Sequence, residues 1–302
     1  MKNVGLIDVD GHGYPNLALM KIASYYKSKG DNVEWANPLF GEYDIVYASK
    51  VFTFTPDFNY CGIMTERIIK GGTGYDISSV LPDVIEQCQP DYSIYPYQFS
   101  IQFFSRGCIR KCPFCLVNQK EGRIRPVKPM DLNPNGKWIE VLDNNFFANP
   151  EWRSSIEWLI KSKQPVNLHG VDIRIMNEEQ AEALNSLKLK HSIKIAWDDP
   201  TSDLTEKLKI FITKVKPYKL ICYVLVGFNS TRQQDMFRLN TLREIGIAPF
   251  VMPYRDFANN VHPDQYQKDL AGWANKRQRF KSFNFEDFKP RKGFKCSEYF
   301  NQ

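Results

Sequence analysis

The chain has 302 residues, of which 43% are apolar, 14% aromatic and 25% charged, a mixture that builds a packed core and excludes a disordered polymer or a small disulfide scaffold. Its formal charge is +6, it carries seven cysteines, and it has neither an apolar run long enough to cross a bilayer nor a basic start followed by an apolar stretch. These features predict a cytoplasmic chain away from membranes, where thiols stay reduced and crowded cysteines serve metal rather than disulfides.

The opening residues alternate short apolar runs with helical pattern, the rhythm of an open α/β sheet. Val4 to Ile7 reads as a strand, and Leu19, Ile22, Ala23 and Tyr26 make one helical face that Gly30 closes. Asn32 to Trp35, Ile45 to Ala48 and Ile68 to Ile69 predict further strands. Val80 to Gln87 reads as a helix leading into a last strand at Tyr92 to Ile94. This spacing describes a small Rossmann-like unit over residues 1–95.

Pro90 and Pro96 bracket a linker, after which the alternation becomes longer and more regular. Phe99 to Phe104, Trp138 to Leu142, Val166 to Leu168, Ile193 to Ala196, Leu220 to Val226 and Pro249 to Met252 predict six strands with helical stretches between most of them. Asn177 with Gln180, and Ser230 with Gln233, carry the side chains of capping boxes at helix starts. The expected class is α/β: an N-terminal Rossmann-like open sheet followed by a partial (β/α)6 barrel over residues 96–257. In such a barrel the chemistry sits at the C-terminal ends of the strands.

Residues 258–302 read as a basic C-terminal extension in which NKRQRFKSFNF and FKPRKGFK mix Lys and Arg with Phe. From Lys276 to Lys295 this stretch suits RNA or an acidic peptide, held by charge and stacking. The plainer reading is a solvated tail whose phenylalanines dock on the core.

The segment FSRGCIRKCPFCLVNQKEG follows the first barrel strand and places Cys108, Cys112 and Cys115 with three and then two intervening residues. One short loop thus points three thiolates at one centre. Structural zinc and electron-transfer clusters normally take four protein ligands, so a three-thiolate set leaves one iron of a four-iron four-sulfur cluster open. Cys61, Cys88, Cys222 and Cys296 have no paired spacing and read as buried, inert thiols.

The C-x3-C-x2-C spacing, with Phe114 before the last cysteine, resembles the signature of the radical S-adenosylmethionine superfamily. The resemblance implies a 4Fe-4S cluster whose open iron is chelated by S-adenosylmethionine, a 5′-deoxyadenosyl radical formed by reductive cleavage, and an electron donor such as flavodoxin or ferredoxin. Further segments match the family in chain order. EVLDNNFF places Asp143, Asn144 and Asn145 where polar groups meet the methionine amino group. HGVDIRIM supplies Asp172 and Arg174 for ribose or carboxylate contacts. KIAWDDP carries Asp198 where the family often has a glycine and an acid, and LICYVLVGFNST carries Gly227 at the glycine-rich turn.

Residues 1–95 also resemble the cobalamin-binding domains that precede many such barrels. The likeness rests on His12 in a D-x-H loop that has Pro15 where a glycine is expected, Ser49 in Ser49-Lys50-Val51, and the Gly71-Gly72 turn. It implies cobalamin held by His12, Ser49, Gly71 and Gly72, and with it methyl transfer. A rival reading belongs to another class: a nucleic-acid-binding module whose cysteine loop is a structural metal site, closed by a distant ligand such as His169, and whose basic tail does the binding.

Overall fold

A computed structural model describes residues 1–11 and 13–301. The fold is mixed α/β with mostly parallel strands. The chain forms two units: one of Met1–Ile101, Leu116–Gly122 and Lys128–Lys137, the other of Gln102–Cys115, Arg123–Val127 and Trp138–Gln302. The first unit thus runs past residue 95 and takes back two short stretches, while residues 258–302 group with the second unit instead of standing apart. No helix among the described residues is long and apolar enough to cross a membrane.

The first unit begins with β1 (Asn3–Asp8), α1 (Leu17–Ser28), β2 (Asn32–Trp35), β3 (Gly41–Tyr43) and β4 (Ile45–Ser49), followed by β5 (Ile63–Thr65), β6 (Ile68–Gly71) and α2 (Asp83–Glu86). A parallel sheet of order β2-β1-β4-β6 carries it, with Val4 level with Ile45 and Leu6 with Tyr47. Because side chains alternate across a strand, Val4, Leu6, Ile45 and Tyr47 pack with Leu19, Ile22, Ala23 and Tyr26 of α1, whereas Ile7, Val46 and Ala48 pack with Tyr43. The sheet order reverses about β1, which has β2 on one side and β4 on the other.

Two expectations for this stretch differ from the fold. Tyr92–Ile94 is a turn of 3₁₀ helix, not a strand, because the Asp91 side chain accepts from the Ser93 amide at 2.9 Å and caps it. The helix expected from Val80 is confined to Asp83–Glu86, since Pro82 stands at its N-cap and keeps the residue before it out of helical geometry.

Next come β7 (Ser100–Gln102), β8 (Ser105–Arg106), α3 (Val117–Glu121) and β9 (Arg125–Pro126), with β8 and β9 antiparallel. The second unit then alternates through β10 (Ile139–Val141), α4 (Trp152–Lys161), β11 (Val166–Leu168), α5 (Glu178–Ser186) and β12 (Ile193–Ala196). It continues with α6 (Thr205–Lys214), β13 (Leu220–Val226), α7 (Arg232–Glu244), β14 (Ala248–Pro253), α8 (Gln265–Ala274) and α9 (Arg277–Ser282). β10 pairs in parallel with β11, and β12 with β13 and β13 with β14; Val171 and Ile195 form an isolated parallel bridge between the two groups. One strand face is apolar and buried, through Ile139, Val141, Val166, Leu168, Ile193, Ile195, Cys222 and Val224. The other face carries Glu140, Asn167 and Lys194.

The tail's phenylalanines are core residues. Phe280 and Phe285 are buried against Trp273, with ring centroids 5.0 and 5.5 Å away, so the docked reading of this stretch holds for them. Burial also holds for Cys222 and Cys296, and it pushes the Cys296 thiol up to about 12. Cys61 is exposed and Cys88 half-buried, against expectation.

Candidate functional site

Outside the cysteine loop, each residue singled out in the second unit falls just beyond the C-terminal end of a parallel strand. The cysteine loop follows β7 and β8, Asp143 to Asn145 follow β10, Asp172 and Arg174 follow β11, Asp198 follows β12 and Gly227 follows β13. Parallel strands bring these ends to one side of the sheet.

The loop is anchored by Asp143. Its carboxylate accepts from the Phe104 amide at 2.9 Å and from the Ser105 hydroxyl, which takes the Phe104 N–H out of the strand ladder and ends β7 earlier than the apolar run suggests. Both Asp143 oxygens are therefore engaged within the chain. Burial pushes its carboxyl up to about 6 despite those two donors. An acid whose folded pKa lies above its unfolded value stabilises the fold below the unfolded pKa and loses that contribution as pH rises through the folded one. Between about pH 4 and 6 the wild-type chain should lose about 3 kcal/mol of unfolding free energy that Asp143→Asn does not lose. Urea titrations of both chains across that range check it; parallel slopes would refute it.

None of the three thiols is in a disulfide. The Cys115 amide donates to the Cys112 carbonyl at 3.0 Å, turning the loop back on itself, and the Arg110 amide approaches Cys108 Sγ at 3.4 Å. Asp172 ties the loop to the end of β11: it accepts from Arg110 Nε at 3.1 Å, from Arg174 Nε at 2.7 Å and from Asn145 Nδ2 at 3.2 Å. Burial alone would raise the Asp172 carboxyl, but Arg174 and then Arg110 outweigh it and hold it below the usual carboxylate value. Arg174 also interacts with the Cys112 thiol. Burial pushes the Cys112 thiol up, and the Arg174 guanidinium beside it acts in the opposite direction without overcoming that burial.

Asn145 is the most informative residue. It is 1% exposed, its Nδ2 donates to Asp172 and approaches Cys108 Sγ at 3.9 Å, and its Oδ1 is buried without a hydrogen-bond partner. The Asp172 carboxylate, which can only accept, fixes which way the amide points, so the orphan is the acceptor. A buried acceptor left unpaired costs about 1–3 kcal/mol, so a donor from outside the chain, a water or a ligand group, would be favourable here; Gln164 Oε1 is left unpaired in the same way. Asn144 is half-buried beside it.

Asp198 accepts from the Leu225 amide at 3.1 Å, burial raises its carboxyl, and Arg174 and Asp172 lie within electrostatic range. Phe114 meets Phe228, the neighbour of Gly227, edge to face at 5.3 Å, and Phe228 in turn meets Tyr254 at 4.9 Å. Gly227 itself adopts φ +84° and donates to the Ser230 hydroxyl at 3.1 Å, making the turn into α7. Sequence reasoning missed Arg110, Phe228, Tyr254 and Gly170. The last had a readable signal: a Cβ at Gly170 would sit 2.0 Å from the Asp143 carbonyl oxygen, so only glycine lets the β11 end pass the Asp143–Asn145 turn.

The residues fit a three-thiolate cluster with an amino-acid-like ligand beside it, by the orphaned acceptor and the cationic surroundings. Among the described residues no three His, Cys, Asp or Glu gather tightly enough for a single metal ion.

Cobalamin fits the first unit poorly. The Ser49 hydroxyl, buried, accepts from Asn16 Nδ2 at 2.8 Å. A Cβ at Gly72 would stand 2.3 Å from the Lys50 carbonyl oxygen, so that glycine serves the chain's own backbone. Asp10 holds the following loop through the Val51 and Phe52 amides and the Thr55 hydroxyl. Gly71 ends β6, and His12 lies outside the described residues. The loops that would admit a corrin tail are closed on one another.

Neither a protein-family model nor a curated protein sequence matches the chain.

Proposed function

We propose that the chain is a radical S-adenosylmethionine enzyme whose second unit is a partial (β/α)6 barrel and whose first is a Rossmann-like sheet. The observation that carries this reading is the orphaned Asn145 acceptor beside Cys108, within a loop that offers three thiols and no fourth. Cys108, Cys112 and Cys115 would hold a 4Fe-4S cluster. When bound, the cluster supplies the electron that splits S-adenosylmethionine into methionine and a 5′-deoxyadenosyl radical, drawn from a donor such as flavodoxin or ferredoxin.

The chain's own residues bind and orient. Asn145 Oδ1 would accept from the methionine amino group, Arg174 and Arg110 would balance the thiolates, and Asp172 keeps both guanidinium groups in place. Phe114, Phe228 and Tyr254 form an apolar wall beside the loop. The rival structural-metal reading needs a distant ligand, and His169 is already committed: its Nε2 lies 3.0 Å from Glu140 Oε2 and 3.2 Å from Asn167 Nδ2.

Anaerobic reconstitution with iron and sulfide, followed by dithionite and S-adenosylmethionine, tests the proposal through 5′-deoxyadenosine. Tight zinc with no iron uptake, or no product from iron-loaded chain, would overturn it. Asn145→Ala should keep its iron while binding S-adenosylmethionine about 10- to 100-fold more weakly, as expected when a hydrogen bond to a charged group is removed. Equilibrium dialysis of the reconstituted variant measures this, and unchanged affinity would remove Asn145 from the site.

A further inference from the structure

A second site lies in the first unit, at the C-terminal ends of β1 and β2, bordered by the glycines of the loop after β1 and away from the Ser49 and Gly71-Gly72 turns. A cavity of about 370 Å³ is lined there by Asp8, Tyr14, Trp35, Phe58, Tyr95 and Tyr97, with Gly11 and Gly13 on its rim. Open parallel sheets bind ligands at strand ends of this kind, and a volume of a few hundred Å³ suits a small molecule. The aromatic rings are not core filling: Trp35 is 40% and Tyr14 43% exposed.

The rings are held in place. Trp35 donates its indole N–H to the Ile94 carbonyl at 2.9 Å and meets Tyr95 edge to face at 5.0 Å; Tyr95 stacks on Tyr97 at 5.7 Å. Tyr95 donates its hydroxyl to Asp8 Oδ2 at 2.7 Å. Among the described lining residues Asp8 is the only one of charged type, and it is a carboxylate. An anion has little to hold it here. Among the described residues no Lys or Arg lines the cavity, and the first amides of α1, at Ala18 and Leu19, are already capped by Asn16 Oδ1 at 3.1 and 3.3 Å.

We propose that this cavity binds a compact organic cation, a methylated ammonium group, against the aromatic faces and the Asp8 carboxylate. Electron-rich ring faces attract such a cation most strongly where water is partly excluded. The group can belong to a free quaternary amine or to a methylated lysine, and the titrations below distinguish the two. Nothing in the proposal depends on the cysteine loop, so it stands or falls separately from the radical chemistry.

Calorimetric titration of the full chain with choline, with trimethyllysine and with 3,3-dimethylbutanol, the uncharged isostere of choline, tests it. At least one cation should bind, and the neutral isostere should bind about 10-fold or more weakly, the discrimination expected of a cation on aromatic faces. Tighter binding of choline identifies a free amine, and tighter binding of trimethyllysine identifies a side chain. Asp8→Asn keeps an acceptor for Tyr95 and should weaken the cation alone; Trp35→Leu, on the exposed rim, should weaken it in a chain whose circular dichroism matches the wild type. Equal affinity for the neutral isostere, no binding of either cation, or indifference to both substitutions would each overturn the proposal.

Discussion

Replacing any one of Cys108, Cys112 and Cys115 by Ala should abolish 5′-deoxyadenosine formation, with a loss beyond about 1,000-fold, and should bleach the brown colour of the reconstituted chain. The size follows from the ligand count. A three-thiolate site already leaves one iron without a protein ligand, and the loop has no spare cysteine: Cys222 and Cys296 are buried, and the loop itself contains only these three thiols. Their surroundings point the same way, since Asp172 holds Arg110 of the loop and Arg174 of the β11 end beside these cysteines. Cys61→Ala serves as the control, because that thiol is exposed on the first unit and should leave iron and activity unchanged. Full iron content and turnover in Cys112→Ala would dismiss the cluster assignment.

The strands were legible from short apolar or alternating runs: Asn32–Trp35, Val166–Leu168 and Ile193–Ala196 alternate, Leu220–Val226 is apolar throughout, and all four fall where the residues alone put them. Tyr92–Ile94 was not legible, because its strand-forming side chains lose to one Asp91 cap between two prolines. Adjacent residues also defeated the capping pattern. Ser230 and Thr231 each have Gln three residues later, and sequence cannot rank them; in the fold Ser230 takes the Gly227 amide, and the box is Thr231 with Gln234. The Asn177 box, with no such competitor, was readable.

The same division runs through the site. The cysteine spacing is local and could be read, whereas Asp143 anchoring Phe104, Arg110 reaching Asp172 and the orphaned Asn145 oxygen exist only once distant strand ends meet. A polar residue after a strand announces a strand-end position. It does not announce which partner the fold will give it.

Breaking the ion pair of Asp235 and Arg238 should cost the most stability of any single polar change considered. The two side chains sit at i and i+3 of α7, are 2% and 0% exposed, and meet at 2.6 Å. Burial pushes the Asp235 carboxyl up even with the guanidinium beside it, so the pair is held under strain of desolvation rather than in comfort. Arg238 does more than balance a charge: it donates to the Trp197 carbonyl at 2.8 Å and the Asp198 carbonyl at 3.4 Å, fixing the turn after β12 that carries one of the candidate cofactor contacts. Removing one member leaves the other buried and uncompensated, which costs about 3–5 kcal/mol, whereas removing both leaves no orphaned charge. Arg238→Met and Asp235→Leu should therefore each lower the urea midpoint sharply. The double variant should be less destabilised than the sum of the two by about 1–3 kcal/mol, the coupling of groups in direct contact. Should the single variants each cost under about 1 kcal/mol, or the two costs simply add, the pair would not be the brace for the β12 turn that its geometry describes.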